Sequence, residues 1–96
     1  MKELTWKTIQ QASKMLKLVG HPVRLRIIEA LEQKSQTVSN LIKRIGLPQA
    51  VISKHLKILR ENGVVNSDVQ KQFRVYHIAY PNVLNILNCV RQHGKK

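Results

Sequence analysis

P-Q-A-V-I-S-K-H-L-K-I-L-R-E-N-G, residues 48 to 63, decides how the rest of the chain is read. At about 100° per residue, Val51, Ile52, His55, Leu56, Ile58 and Leu59 fall on one arc of a helix. The opposite arc holds Gln49, Ala50, Ser53, Lys54, Lys57, Arg60 and Glu61, with nothing apolar larger than alanine. One face is specified for packing. The other is polar and basic, with three positive charges against one negative. His55 lies in the middle of the apolar arc, which makes it a core histidine with a satisfied ring rather than a ligand. Asn62-Gly63 closes the helix, glycine being the residue that most easily takes the left-handed conformation a helix end favours.

Just upstream, Thr37 caps a short helix carrying Val38, Leu41, Ile42 and Ile45, and Gly46 ends it. The tight Gly46-Leu47-Pro48 turn then joins that helix to the basic one. Two earlier helices are predicted. One covers Leu4 to Val19, with Ile9, Ala12, Met15, Leu16 and Val19 at helical spacing and a stop at Gly20. The other restarts at His21-Pro22 and carries Leu25, Ile27, Ile28 and Leu31 to about Gln33. Downstream, V-V-N-S-D-V and F-R-V-Y-H-I are rich in β-branched and aromatic residues and read as two strands joined around Gln70-Lys71-Gln72. Pro81 opens a last helix with Val83, Leu84, Leu87 and Val90 on one side, running to about His93. The fold class is mainly α with a β-hairpin wing: four helices, the hairpin, then a fifth helix. Two short helices joined by a tight turn, the second basic on its outer face, form a helix-turn-helix, and the hairpin makes it a winged one.

Ninety-six residues, with no linker-like run or internal repeat, predict one domain over 1–96. A core of that size gains from dimerisation. The net charge is +12. Lys and Arg outnumber acidic residues by seven to three over 1–36 and by five to one over each of 37–63 and 64–96, so every third of the chain carries +4. Such evenly spread charge suits a polyanion, either nucleic acid or an anionic membrane surface. No stretch is apolar enough to span a bilayer, and the first residues lack the pattern of a signal peptide. A cytoplasmic protein without a membrane role is expected. Catalysis has little to work with: no phosphate loop, nucleophile elbow or clustered carboxylates are present among five scattered acidic residues.

Two stretches resemble the ArsR/SmtB family of bacterial and archaeal repressors. G-H-P-V-R-L-R-I-I-E-A-L at 20 to 31 is similar to the family's A-D-P-T-R-L-x-I-L-x-x-L. L-P-Q-A-V-I-S-K-H-L-K-I-L-R-E-N-G-V-V at 47 to 65 is similar to L-S-Q-x-x-V-S-x-H-L-x-x-L-x-x-A-G-L-V. The similarity spans residues 12 to 79. It implies a homodimeric repressor that occupies a palindromic operator in double-stranded DNA through helix 48–62 and wing 64–79. It also implies that the first and last helices form the dimer interface, around Ile9, Leu16, Leu84 and Leu87, whose other reading is intramolecular core. The family's recognition positions fall on Gln49, Ala50, Ser53, Lys54 and Lys57, all members of the polar arc. Gln49 can pair with adenine, Ser53 can serve donor or acceptor edges, and Lys54 can reach guanine or a phosphate. Lys57 and Arg60, further along, suit the backbone, as do Lys43 and Arg44 on the third helix and Lys71 and Arg74 near the wing. The competing functions are a sequence-neutral architectural DNA-binding protein and, from another class, a protein-docking winged helix.

The family's familiar sensory sites do not match. Where cysteines would open the third helix the chain reads S-Q-T-V-S-N-L, and where Asp and His would open the last it reads Tyr80, Pro81 and Asn82. His93 alone cannot make a tetrahedral site, and His21, His55 and His77 show no helical pairing. Cys89 is the only cysteine, so no internal bridge can form; it reads as a small buried hydrophobe, with contact across a dimer as the alternative. No metal or cofactor is therefore expected, and the sequence names no inducer.

Overall fold

The computed structural model describes residues 2–94. The elements are α1 (Trp6–Val19), α2 (Pro22–Gln33), β1 (Gln36–Thr37), α3 (Val38–Ile45), α4 (Gln49–Glu61), β2 (Val65–Gln70), β3 (Phe73–Ile78) and α5 (Val83–Gly94). Each helix start has a local cause. Thr5 caps α1 by accepting from the Thr8 amide, and Thr37 caps α3 by accepting from the Asn40 amide. His21 caps α2 through Nδ1, which accepts from the Val23 amide at 3.1 Å, with Pro22 following in the first turn. Gly46 ends α3 at φ 80°, in the left-handed region, and its amide donates to the Ile42 carbonyl at 2.8 Å.

The core lies where α2, α4 and the base of the wing meet. Ile27, Ile28, Leu41, Ile52, Leu59 and Val64 are all fully buried. Leu56, on the same face of α4, is 1 % exposed. A fully buried side chain of this size contributes roughly 1.5–3 kcal/mol, so the inward face of α4 is held firmly while its other face is left to solvent. α1 is the exception to this packing. Of its fourteen residues only Val19 is buried, and Trp6, Ile9 and Leu16 remain exposed.

Three expectations are corrected. The hairpin is part of a three-stranded antiparallel sheet, ordered β1-β3-β2, because Gln36 and Thr37 pair with Tyr76 and Val75. A two-residue strand leaves no periodic trace. Its anchor is the buried Gln36, whose Nε2 donates to the Ala30 carbonyl at 2.6 Å. The last helix begins at Val83 rather than Pro81: the Val83, Leu84 and Asn85 amides donate three residues back to Tyr80, Pro81 and Asn82, a tight turn that leads into α5. The first helix begins at Trp6 rather than Leu4, because Thr5 caps it.

β2 and β3 pair from Val65↔Ile78 to Gln70↔Phe73, with Lys71 and Gln72 forming the turn. Lys71 has φ 58°, so a side-chain-bearing residue occupies a backbone region that glycine or asparagine takes more readily. At the base of the wing, the Val64 carbonyl accepts from the Ala79 and Tyr80 amides at 2.9 and 3.2 Å, which fixes the exit toward α5. Arg91 closes α5 onto α2 by pairing with Glu32 and draws that carboxyl below the usual range, chiefly through their hydrogen bond.

Candidate nucleic-acid interface

The tight turn at 46–48 sets α4 directly after α3, and α4 presents its polar arc outward. Gln49, Ala50, Lys54, Lys57 and Arg60 are exposed, and Ser53 is half-buried. Behind them Ile52, His55, Leu56 and Leu59 are buried. The division read from the sequence therefore holds in detail, with Val51 and Ile58 half-buried at the borders. Among the described residues, no carboxylate lies within ion-pair distance of Lys54, Lys57, Arg60, Lys43 or Lys71. Three of the five acidic residues are engaged elsewhere: Glu29 with Arg26, Glu32 with Arg91, and Asp68 with His77. Glu61, also exposed, closes the polar arc of α4, so that face carries three cations against one carboxylate and its net field is positive.

The remaining expected backbone contacts flank this helix. Lys43 and Arg44 occupy the last turn of α3, both exposed, and Arg44 is oriented by a hydrogen bond from Nη2 to Gln33 Oε1. An open cleft beside them is also lined by Lys34, Gln36 and Asn40. Lys34 is a cation that periodicity could not assign, because it lies between elements. Lys71 is in the wing turn, and Arg74 donates from Nη1 to Ser67 Oγ at 3.0 Å across the strands.

His55 anchors the interface from the inside. It is 6 % exposed, and its Nδ1 accepts from Arg24 Nε at 3.2 Å, while Arg24 Nη1 donates to the Leu18 carbonyl at 2.8 Å. One guanidinium thereby ties α4 to the end of α1. The His21 ring completes the cluster, its centroid 4.3 Å from that of His55 and tilted by 40°. Sequence spacing showed neither contact, because the partners are 31 and 34 residues away. Burial, then His21, Arg24 and Lys54, hold the His55 pKa below its ordinary value of ~6.5.

The sign of the resulting pH effect follows from linkage. His55 takes up its proton more readily unfolded than folded, so its contribution is fully present above pH ~6.5 and is lost as pH falls toward the lowered folded value. Urea midpoints should fall on acidification from pH 7 to pH 5, and His55→Gln should flatten that slope. An identical slope in the variant would assign the effect to other groups.

The four expected dimer positions are placed differently. Ile9 and Leu16 are 41 % and 56 % exposed, Leu84 is half-buried, and Leu87 is 5 % exposed within the chain's own core. Leu87 thus has almost no surface to offer a partner. Beside Ile9 and Leu16, the exposed apolar residues include Leu4, Trp6 and, on α5, Val90. An open groove of about 650 Å³ runs between α1 and the start of α5, with Ala12, Met15, Leu16 and Ile86 among its lining residues. Cys89 is exposed rather than buried, because it lies about 200° around α5 from Leu87. Among the described residues, no three His, Cys, Asp or Glu side chains come together as metal ligands, and no helix is long and apolar enough to cross a membrane.

Comparison with known proteins adds to this geometry. The model of the family described as bacterial regulatory protein, arsR family, matches residues 21–67. An uncharacterized HTH-type transcriptional regulator of Methanocaldococcus jannaschii is 33% identical, over 84% of this chain and 92% of its own length. The HTH-type transcriptional repressor SmtB of Mycobacterium tuberculosis is 30% identical, over 91% of this chain and 65% of its own length. The crystal structure of the transcriptional repressor BigR from Xylella fastidiosa superposes with a TM-score of 0.83 at 27% identity, covering 94% of this chain and 92% of that one.

Proposed function

Since the chain belongs to the arsR family of bacterial regulatory proteins, and is thus a DNA-binding transcriptional regulator rather than an enzyme, we propose that it acts in the cytoplasm as a homodimeric repressor of a palindromic operator. The observation that carries this reading is the outward face of α4. Its cations are exposed and have no ion-pair partner among the described residues, on a helix whose inner face is locked into the core.

In this reading α4 lies in the major groove. Gln49, Ala50, Ser53 and Lys54, in its first two turns, meet base edges, while Lys57, a recognition position further along, reaches the backbone. Arg60, Lys43, Arg44, Lys71 and Arg74 grip phosphates and fix the register. Dimerisation is supported by α1, which exposes Trp6, Ile9 and Leu16 and adds one residue to the core of its own chain. Two α4 helices related by a two-fold axis would meet successive major grooves, giving half-sites about 10 base pairs apart or a multiple. Occupation of such a site excludes other proteins from the promoter, which is repression.

The division of labour is testable by substitution. Gln49→Ala and Lys54→Ala should each relax base preference at one position of the half-site, by about 1–3 kcal/mol of discrimination. Lys43→Ala and Arg74→Ala should weaken specific and random DNA alike and flatten the dependence of affinity on salt. Equal losses on both kinds of DNA from all four variants would favour an architectural protein held by phosphates alone. The net charge of +12, spread over the whole chain, makes that the second reading.

A further inference from the structure

The wing ends in two apolar side chains that neither the core nor the charge pattern accounts for. Val69 is 63 % exposed and Phe73 is 54 % exposed. The register sets Val69 opposite Arg74 and Gln70 opposite Phe73, so Val69 and Phe73 occupy opposite faces of the last rungs. Between them the chain turns through Lys71 and Gln72, both exposed. Arg74, also exposed, is braced by Ser67. The acidic residue of the wing, Asp68, has its carboxylate 3.6 Å from His77 Nδ1, toward the base. The tip is thus a narrow two-stranded ribbon with an apolar side chain on each face and two cations at its end.

This combination fits the minor groove of duplex DNA. Cations answer the phosphates that rim the groove, while an apolar side chain packs on its sugar walls or wedges at a base step that opens at low cost. A lipid surface suits it poorly, since two side chains bury too little for stable anchorage. Resting on the DNA-binding reading above, we propose that Phe73 is a specificity-determining residue. It enters the minor groove beyond the bases read by α4, with Val69 against the opposite wall, and selects an easily opened pyrimidine–purine or A·T step that no hydrogen bond reads. Specificity then extends to a position read by deformability.

The test uses the double variant Trp6→Phe, Phe73→Trp, whose one indole reports from the wing tip, since the chain has a single tryptophan. Complex formation is followed independently by the anisotropy of a labelled duplex. At saturation the indole emission should be quenched and shifted to the blue, and a minor-groove-filling oligopyrrole should reverse the change. Phe73→Ala should lose roughly tenfold in affinity and lose the preference for TA over GC at the outer step, while retaining base preference in the α4 contacts. Unchanged emission in a saturated complex, or a persisting outer-step preference in Phe73→Ala, would overturn the proposal and leave DNA binding intact. Emission that responds to protein concentration without DNA would overturn it too, by assigning the tip to protein–protein contact. Absence of an anisotropy change with the wild-type protein, measured alongside, would instead count against the DNA-binding reading itself.

Discussion

With Lys54 and Lys57 both replaced by glutamate, affinity for duplex DNA at about 0.15 M salt should fall by more than roughly a thousandfold. Both side chains are exposed on α4, and neither has a carboxylate partner among the described residues, so nothing internal is lost when they change. A charge-assisted hydrogen bond contributes about 1.5–3 kcal/mol. Two such contacts in each of two protomers account for the loss before any repulsion from the new carboxylates is counted. The variant should retain wild-type thermal stability, because Ile52, His55, Leu56 and Leu59 hold the other face of the helix. Tight DNA binding by a folded double variant would place the interface elsewhere on the chain. A docking module would behave differently, keeping a protein partner through the same substitutions.

Ile9→Glu combined with Leu16→Glu should leave a folded monomer with operator affinity reduced by about 10²–10⁴. The two residues are 41 % and 56 % exposed on a helix that buries only Val19, so the chain's own core does not depend on them. Across a two-fold interface, however, each substitution appears twice and places carboxylates where apolar groups met, which costs several kcal/mol. Once the protomers separate, the two half-sites are bound independently and the second loses its high effective concentration. Sedimentation would show the monomer and anisotropy on a selected operator the weaker binding. A dimer that survived both substitutions would move the interface away from α1.

The two outcomes meet at Arg24. Its guanidinium reaches His55 on α4 and the Leu18 carbonyl at the end of α1, so the helix proposed to meet DNA and the helix proposed to meet a second copy share one anchor. That link was invisible in the sequence. Periodicity reports which residues face inward, and for α4 it separated the faces correctly because a thirteen-residue helix samples its own environment several times. It placed His55 in the core for the same reason. It could not supply the partner of His55, which comes from another helix, nor β1, whose two residues are too few for any pattern. It also could not weigh Leu84 against Leu87. Both fit one stripe of α5, yet Leu87 enters the core and Leu84 stays at its edge. The exposed tip of the wing was missed for a different reason: strand propensity explains Val69 and Phe73 as well whether they are covered or not.

Selection of the purified protein against randomised duplex DNA at about 0.15 M salt tests the central claim most directly, since lower salt exaggerates non-specific binding. An enriched imperfect palindrome, with half-sites about 10 base pairs or a multiple apart, is the predicted result. Tight binding with no enriched sequence would contradict a base-reading α4 and make its polar face a grip on phosphates alone.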